Sequence, residues 1–271
     1  MKQAAKTITN CITHQELIEQ LRFHGVRAGM VIEVHAALSS LGYVVGGAQA
    51  VIDALIEVVG YSGTILMSLQ TGNNSEPTYW RNPPIAYDLV QKIRKNTPIF
   101  NKKDSDTLGM GAIVENFRRR EGVVVSNHPR NSYVAWGKYA KLLCNRHSLH
   151  FSLSEESPTA RLTELKGYVL LLGCDYDCCT VMHLAEYRTD CRPILVQGSS
   201  VEIEGKQVWK KHLDMDINSV DFLKIGKRME TKNKVQQFLL GIAPCKLFRS
   251  DIAVEEAVHY FEKEGILTYY K

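Results

Sequence analysis

The stretch GYVLLLGCDYDCCTVMHLAE, residues 167–186, decides how the rest of the chain is read. Tyr168, Val169, Leu170, Leu171 and Leu172 make an apolar run between two glycines, the pattern of a strand covered on both faces in an α/β sheet. Gly173 then releases the backbone and Asp175 and Asp177 supply turn chemistry. Thr180 stands where it would N-cap a helix beginning Val-Met-His-Leu-Ala-Glu. Open α/β sheets bind ligands where strand carboxyl ends meet helix starts, so a site is expected at this junction. On that helix His183 and Glu186 are three residues apart and share a face. An imidazole that is neutral near pH 7 can take a proton, and a carboxylate on its other nitrogen fixes the tautomer. A solvated surface pair shows the same spacing. The buried strand and turn in front of the pair are what point to function.

Composition narrows the classes around this junction. The chain has 271 residues, 45% of them hydrophobic, and neither a repeat nor a low-complexity linker, so residues 1–271 are expected to form one domain. Lys+Arg 33 against Asp+Glu 29 gives a net charge of +4 with no concentrated basic run, which argues against nucleic acid as a partner. No apolar stretch reaches the roughly 18 residues of a membrane span. The opening MKQAAKTITNCITHQEL lacks a signal-peptide core, so no membrane partner and a cytoplasmic location are expected. The cysteines Cys11, Cys144, Cys174, Cys178, Cys179, Cys191 and Cys245 are odd in number and form no C-x-x-C pair, as reduced thiols would. Cys174, Cys178 and Cys179 beside His183 raise zinc. Cys178 and Cys179 are adjacent and no second ligand pair follows, so no metal is expected. A cysteine nucleophile, Cys178 or Cys179 with His183 as base, stays open.

Upstream, THQELIEQLRF (13–23) reads as a capping-box helix from Thr13 and Glu16, and MVIEVH (30–35) as a strand. The small-residue turn 36–42, a helix from Ala48 to Gly60 and a strand at 64–68 complete a βαβ unit whose backbone loop suits a phosphate-bearing ligand. A plain tight turn would look the same, since no G-x-G-x-x-G or Walker motif is present. Residues 70–98, polar and rich in Asn and Pro, read as a long substrate-binding loop carrying Glu76, Tyr79 and Trp80, with a helix over about 85–96. Ala112, Ile113 and Phe117 line one helix face, and Arg118 to Arg120 are read as solvated charges in its last turn. His128, held extended before Pro129, either lines the site or sits in a turn. Beyond Pro193 the pattern turns antiparallel, with Glu204-Gly205-Lys206 as a hairpin turn and a tail of short strands around a helix at 252–263. The expected fold class is α/β: a mixed central sheet flanked by helices on both faces, with an antiparallel β-rich C-terminal extension.

Five co-linear segments carry a resemblance over nearly the whole chain. VHAALSSLGYVVGGAQAVIDAL (34–55), DTLGMGAIVENFR (106–118), SNHPRNSYVAWG (126–137), ESPTARLTELKGYVLLLG (156–173) and TVMHLAE (180–186) resemble the aminoglycoside 3-N-acetyltransferase family, and within it a bacillary subgroup. The resemblance implies a fold of this family's own kind, distinct from the GNAT superfamily. It also implies an acetyl-coenzyme A dependent N-acetyltransferase acting on a small-molecule amine, the 3-amino group of a 2-deoxystreptamine ring or a similar acceptor, without a metal. A homodimer is left open. Carried onto matching positions, His35, Ala36, Ala37, Leu38, Ser39, Ser40, Leu41 and Gly42, with Asp106, Thr107, Leu108, Gly109 and Met110, would hold coenzyme A. His183 would deprotonate the amine, Glu186 would orient it, and Thr180 would sit by the thioester carbonyl. Glu76, Tyr79, Trp80, His128 and Asp177 are the expected acceptor contacts; a polycation calls for an acidic pocket, for which Glu76, Asp177, Glu186, Asp214 and Asp216 are candidates, each also readable as a solvated surface carboxylate.

The chain departs from the family pattern at Ala36 and Ala37, which replace two serines and remove their hydroxyls. It departs again at Ser68, Leu69 and Gln70 after the second strand, and at Cys179, where asparagine is common. Two other classes remain: a cysteine-dependent acyl transferase or hydrolase, and a coenzyme A-binding module without turnover.

Overall fold

The structure, a computed structural model, describes residues 8–107 and 109–265. After a two-residue strand β1 (Cys11–Ile12), the first helix α1 (His14–Phe23) starts on the capping box that the sequence predicts. The Thr13 hydroxyl accepts from Glu16 N at 3.3 Å and the Glu16 carboxylate accepts from Thr13 N at 2.8 Å. The chain continues through β2 (Val31–Ala36), β3 (Tyr43–Val44), α2 (Gly47–Val59) and β4 (Thr64–Gln70), and the predicted βαβ unit forms, with β2 and β4 parallel. Then come α3 (Val90–Asn96), α4 (Gly111–Phe117), β5 (Val124–Val125), β6 (Asn131–Gly137), α5 (Ala140–Cys144), α6 (Pro158–Glu164) and β7 (Tyr168–Leu172). The last part comprises α7 (His183–Tyr187), β8 (Ile194–Ile203), β9 (Lys206–Met215), α8 (Phe222–Thr231), β10 (Val235–Leu240), β11 (Ala243–Arg249) and α9 (Ser250–Tyr260).

Seven strands make the mixed sheet, in the order β10-β11-β7-β2-β4-β6-β5, with β7, β2 and β4 parallel at its centre and antiparallel strands outside them. Strand alternation sends Ile32, Val34, Leu170 and Leu172 into one apolar layer with α1 and α2, and Val31, Val169 and Leu171 into a second layer with α6, α8 and α9. Helices therefore cover both faces, and the centre of the sheet needs apolar side chains on each.

The hairpin β8–β9 forms its own two-stranded sheet around Glu204 and Gly205, which both adopt the positive φ, 50° and 73°, that such a two-residue turn requires. The rest of the C-terminal region differs from the sequence reading. β10 and β11 extend the central sheet from the β7 edge and α9 follows them, while the end of the expected tail, 266–271, lies outside the described residues. The Arg118 side chain is buried, donating to Glu115 Oε2 at 2.8 Å and to Ser105 O at 2.8 Å. Only Arg119 of the expected solvated trio stands well into solvent. Thr180 does not cap a helix: a 3-10 turn, Thr180–Met182, precedes α7.

The root of the hairpin rests on histidines. The rings of His128 and His147 lie 4.9 Å apart, and that of His212 on β9 is 6.1 Å from His128. Burial lowers the pKa of all three, His128 well below the ordinary value and His147 to about 4. Histidines with a depressed folded pKa stabilise fully above the unfolded value, and that stability is lost as pH falls from about 6.5. With the folded value near 4, His147 alone accounts for about 3 kcal/mol of that loss. Urea unfolding should therefore show lower stability at about pH 5 than at pH 7, and His147→Gln should reduce that drop. A wild-type midpoint unchanged over this range would contradict the assignment.

Candidate active site

Period-two alternation on β2 that puts Ile32 and Val34 in one core puts Glu33 and His35 on the opposite face, at the carboxyl end of the parallel strands. β4 brings Ser68 to the same side, and β7 ends beside them at Gly173. Gly173 has φ 68°, and a Cβ there would lie 2.6 Å from Ser40 Cβ, so only glycine lets the end of β7 close against the turn after β2. The Asp175 carboxylate then accepts from Tyr176 N at 2.8 Å and starts a 3-10 turn, Tyr176–Cys178. A second such turn delivers Thr180, whose hydroxyl lies 3.0 Å from Ser68 Oγ and is thereby drawn away from capping.

His183 opens α7. Its Nδ1 donates to Glu186 Oε2 at 2.5 Å, and its ring packs on Phe222 of α8 at 4.7 Å between centroids. α8 comes this close because Gly226 faces Tyr176: a Cβ there would sit 2.1 Å from the tyrosine ring. Glu186 is fully buried, and its other oxygen accepts from Arg192 Nε at 2.6 Å and from Asn218 N at 3.0 Å. Arg192 Nη2 in turn donates to Asn218 O at 3.1 Å and approaches Asp221 at 3.8 Å. With Nδ1 donating to a carboxylate, Nε2 is the nitrogen left for the cleft.

That cleft encloses about 930 Å³. Among the described residues, the structure brings to it His35, Ala36, Ala37, Leu38, Ser39 and Gly42 of the expected coenzyme turn, and Gly109 and Met110 of the second expected segment, together with Thr180, His183 and Asp177. Ser40, Leu41, Asp106 and Thr107 do not line it: Leu41 is packed in the core and the Thr107 hydroxyl is bonded to Glu115. Leu108 lies outside the described residues.

Four of the expected acceptor contacts lie elsewhere, for identifiable reasons. The Glu76 carboxylate is taken by Arg94, with Nη2 at 2.6 Å and Nε at 3.2 Å, and Glu76 N donates to Gln197 of the hairpin at 3.1 Å. The loop is thus bound to β8, Trp80 Nε1 donates to Ser75 Oγ at 2.9 Å, and Tyr79 lies half in solvent. His128 is buried, with Nδ1 accepting from Asn131 N at 2.8 Å and Nε2 donating to Leu149 O at 3.3 Å, so both nitrogens serve the turn. Asp214 is also committed, accepting from Ser152 Oγ at 2.8 Å and Tyr187 OH at 2.5 Å.

Sequence reasoning missed Arg192, Ser68 and Glu33. An arginine six residues beyond Glu186 gives no helical spacing, and its pairing depends on the chain turning at Pro193. Glu33 left a signal: an acid inside the run Val31–Ala36 has no partner on its own strand except His35. It is fully buried, with His35 Nε2 at 3.4 Å from its Oε1 and no hydrogen bond to either oxygen among the described residues. Burial, with the Glu33 carboxylate as the second cause, pushes the Cys179 thiol well above its ordinary range.

Removing one partner of a buried ion pair costs about 3–5 kcal/mol because the other charge is left uncompensated. Arg192→Leu should lose stability on that scale in urea unfolding, whereas a variant as stable as the wild type would show that the guanidinium does not hold Glu186.

The sequence pattern of the family described as Aminoglycoside 3-N-acetyltransferase matches residues 34–262. The chain is 41% identical over 264 residues to the SPbeta prophage-derived aminoglycoside N(3')-acetyltransferase-like protein YokD of Bacillus subtilis (strain 168), covering 97% of this chain and 96% of that one. The crystal structure of YokD superposes with a TM-score of 0.92 over 94% of this chain and 95% of that chain. Two further solved structures are similar, each at a TM-score of 0.84 over 94% of this chain: AAC-IIIb binary with CoASH, 26% identical with 98% of its chain covered, and AAC-VIa bound to sisomicin, 27% identical with 99% covered. The pattern match over most of the chain and the 41% identity to YokD show that the chain belongs to the aminoglycoside 3-N-acetyltransferase family.

Proposed function

We propose that this chain moves the acetyl group of acetyl-coenzyme A directly to an amine of an aminoglycoside or aminoglycoside-like acceptor, the 3-amino group of the 2-deoxystreptamine ring, in a ternary complex with His183 as general base. The observation that carries the reading is one ring with two environments: His183 Nδ1 bonded to the buried Glu186, and the ring bordering a cleft of about 930 Å³.

The cleft residues fit the coenzyme. Gly47, Gly109 and Gly111 border the cleft, and a Cβ on any of them would meet nothing within 4 Å, so backbone is open there to a large ligand. Gly47 is also the first residue of α2, a thirteen-residue helix whose start favours phosphate oxygens. Bound there, the coenzyme supplies an acetyl thioester.

An amine attacks only as its free base. His183 Nε2 removes its proton, a contribution of about 10²–10⁴-fold for a positioned base. Glu186 keeps Nδ1 protonated and accommodates the imidazolium that results, and Arg192 keeps Glu186 in place. The Thr180 hydroxyl, held by Ser68, faces the cleft and donates to the oxygen that gains charge as the amine adds. The carbon–sulfur bond then breaks, and the departing sulfur takes up a proton. Holding both substrates in one cleft lowers the barrier further. On the acceptor side, Asp177 is the one carboxylate of the five expected that lines the cleft, Glu186 being buried behind His183 and matched by Arg192.

One observation favours a second reading. Cys178 is exposed in the cleft and its thiol is drawn down to about 7, first by a hydrogen bond from Cys174. That permits an acetyl-cysteine route through Cys178, whereas Cys179 is fully buried and unsuited to attack.

His183→Ala should lower kcat for thiol release with sisomicin as acceptor by about 10²–10⁴-fold, while acetyl-coenzyme A still binds by calorimetry. Full turnover in that variant would overturn the proposal. Asp177→Asn should raise KM for a polycationic acceptor severalfold and leave kcat nearly unchanged, and an unchanged KM would remove Asp177 from the acceptor site. Intact mass of the protein incubated with acetyl-coenzyme A alone should show no acetyl adduct; an adduct mapped to Cys178 would favour the cysteine route.

A further inference from the structure

Direct transfer gives the thiols of Cys174 and Cys178 no task, yet both line the cleft. Gly173 and the turn Tyr176–Cys178 fold the segment so that the two side chains, four residues apart, line the same cleft as His35. Cys174 is half-buried, with its Sγ donating to His35 O at 3.4 Å, and it lines the same cleft as Cys178. Cys178 stands exposed at the cleft wall. The neighbouring Cys174 thiol draws Cys178 down to about 7 and Cys174 itself is raised, so one thiol is ready to attack at neutral pH and the other is kept protonated. Four of the remaining cysteines, Cys144, Cys179, Cys191 and Cys245, are buried. The fifth, Cys11, is exposed but borders a different hollow with Glu16 and Gln20.

We propose that Cys178 is a thiol–disulfide exchange site for the disulfide form of coenzyme A, which enters by the coenzyme's own cleft, and that Cys174 is the resolving thiol. The inference rests on the placement of coenzyme A in this cleft argued above. The Cys178 thiolate attacks one sulfur of the coenzyme A disulfide, a Cys178–coenzyme A disulfide forms, and one coenzyme A thiolate leaves. Cys174 then gives its proton to solvent and attacks the Cys178 sulfur, the mixed disulfide breaks, and a second coenzyme A thiolate leaves. The two cysteines lose two electrons in all, and the coenzyme A disulfide gains them. The Cys174–Cys178 bridge would lie across the cleft wall directly before Thr180 and His183. A coenzyme pool shifted toward its disulfide would thereby switch the transferase off, and added thiol would restore it.

The test uses the reduced full-length protein, coenzyme A disulfide or glutathione disulfide at pH 7, and peptide mapping without reductant. Wild type should finish with Cys174 joined to Cys178, Cys174→Ser should retain coenzyme A on Cys178, and Cys178→Ser should take up none in the cleft. Cys178 should react about tenfold faster than the exposed Cys11, in keeping with its larger thiolate fraction at neutral pH. Saturating acetyl-coenzyme A should suppress the reaction. If Cys178 reacts no faster than Cys11 while calorimetry shows acetyl-coenzyme A bound, the exchange site is refuted. If Cys178 is modified selectively but glutathione disulfide serves as well as coenzyme A disulfide and acetyl-coenzyme A gives no protection, the placement of the coenzyme fails instead. Wild type that stops at the mixed disulfide would overturn the resolving role of Cys174.

Discussion

Glu186, a carboxylate with no exposure to water, is matched by three elements at once: an imidazole N–H from α7, a guanidinium from the segment before β8, and a backbone N–H from the loop before α8. Burying such a charge costs several kcal/mol that only good hydrogen-bond geometry offsets. The local fold is therefore constrained to keep these three donors in register. The same constraint fixes the imidazole, because Nδ1 cannot rotate away without leaving the acid short of a partner. Stability and chemical readiness are in this way consequences of one interaction.

The sheet supplies the place where that interaction is useful. Three parallel strands end on one edge, and strand alternation projects His35, Ser68 and the start of the Thr180 turn to the same side as α7. Apolar layers on both faces hold the strands, and the buried Glu33 lies on β2 with His35 at 3.4 Å. The hairpin β8–β9 does a different job. Asn74 bonds to both Ser200 N at 2.7 Å and Ser200 O at 3.1 Å, and Glu76 is tied to Gln197 and Arg94, so the long loop is fastened to the hairpin instead of lining the cleft.

What could be read from sequence was what local patterning dictates. The capping box of α1, the buried strand before Gly173, the positive-φ hairpin turn and the i,i+3 pairing of His183 with Glu186 each follow from residues close in the chain, and each has the expected form. The errors arose where a residue's partner comes from afar. Glu76, His128 and Asp214 looked like acceptor contacts because they are polar and lie in or near loops, but Arg94, Asn131 and Tyr187 take up their bonding capacity. Arg118 looked solvated because it ends a helix, but it folds back to Glu115 and Ser105. Arg192 was missed for the complementary reason: nothing in a linear pattern says that an arginine beyond a helix returns to neutralise an acid within it. The family resemblance filled part of that gap by naming the coenzyme turn, in which Ala36 and Ala37 bring no hydroxyl to the cleft.

The claim beneath all of this is that the buried acid selects one form of one ring. Nitrogen-15 NMR of histidine-labelled protein reports it directly: at neutral pH His183 should give the signature of an imidazole with its proton on Nδ1, shifted downfield by the short bond to Glu186, and that signature should disappear in Glu186→Gln. A ring found with its proton on Nε2, or unaffected by the change at Glu186, would contradict it.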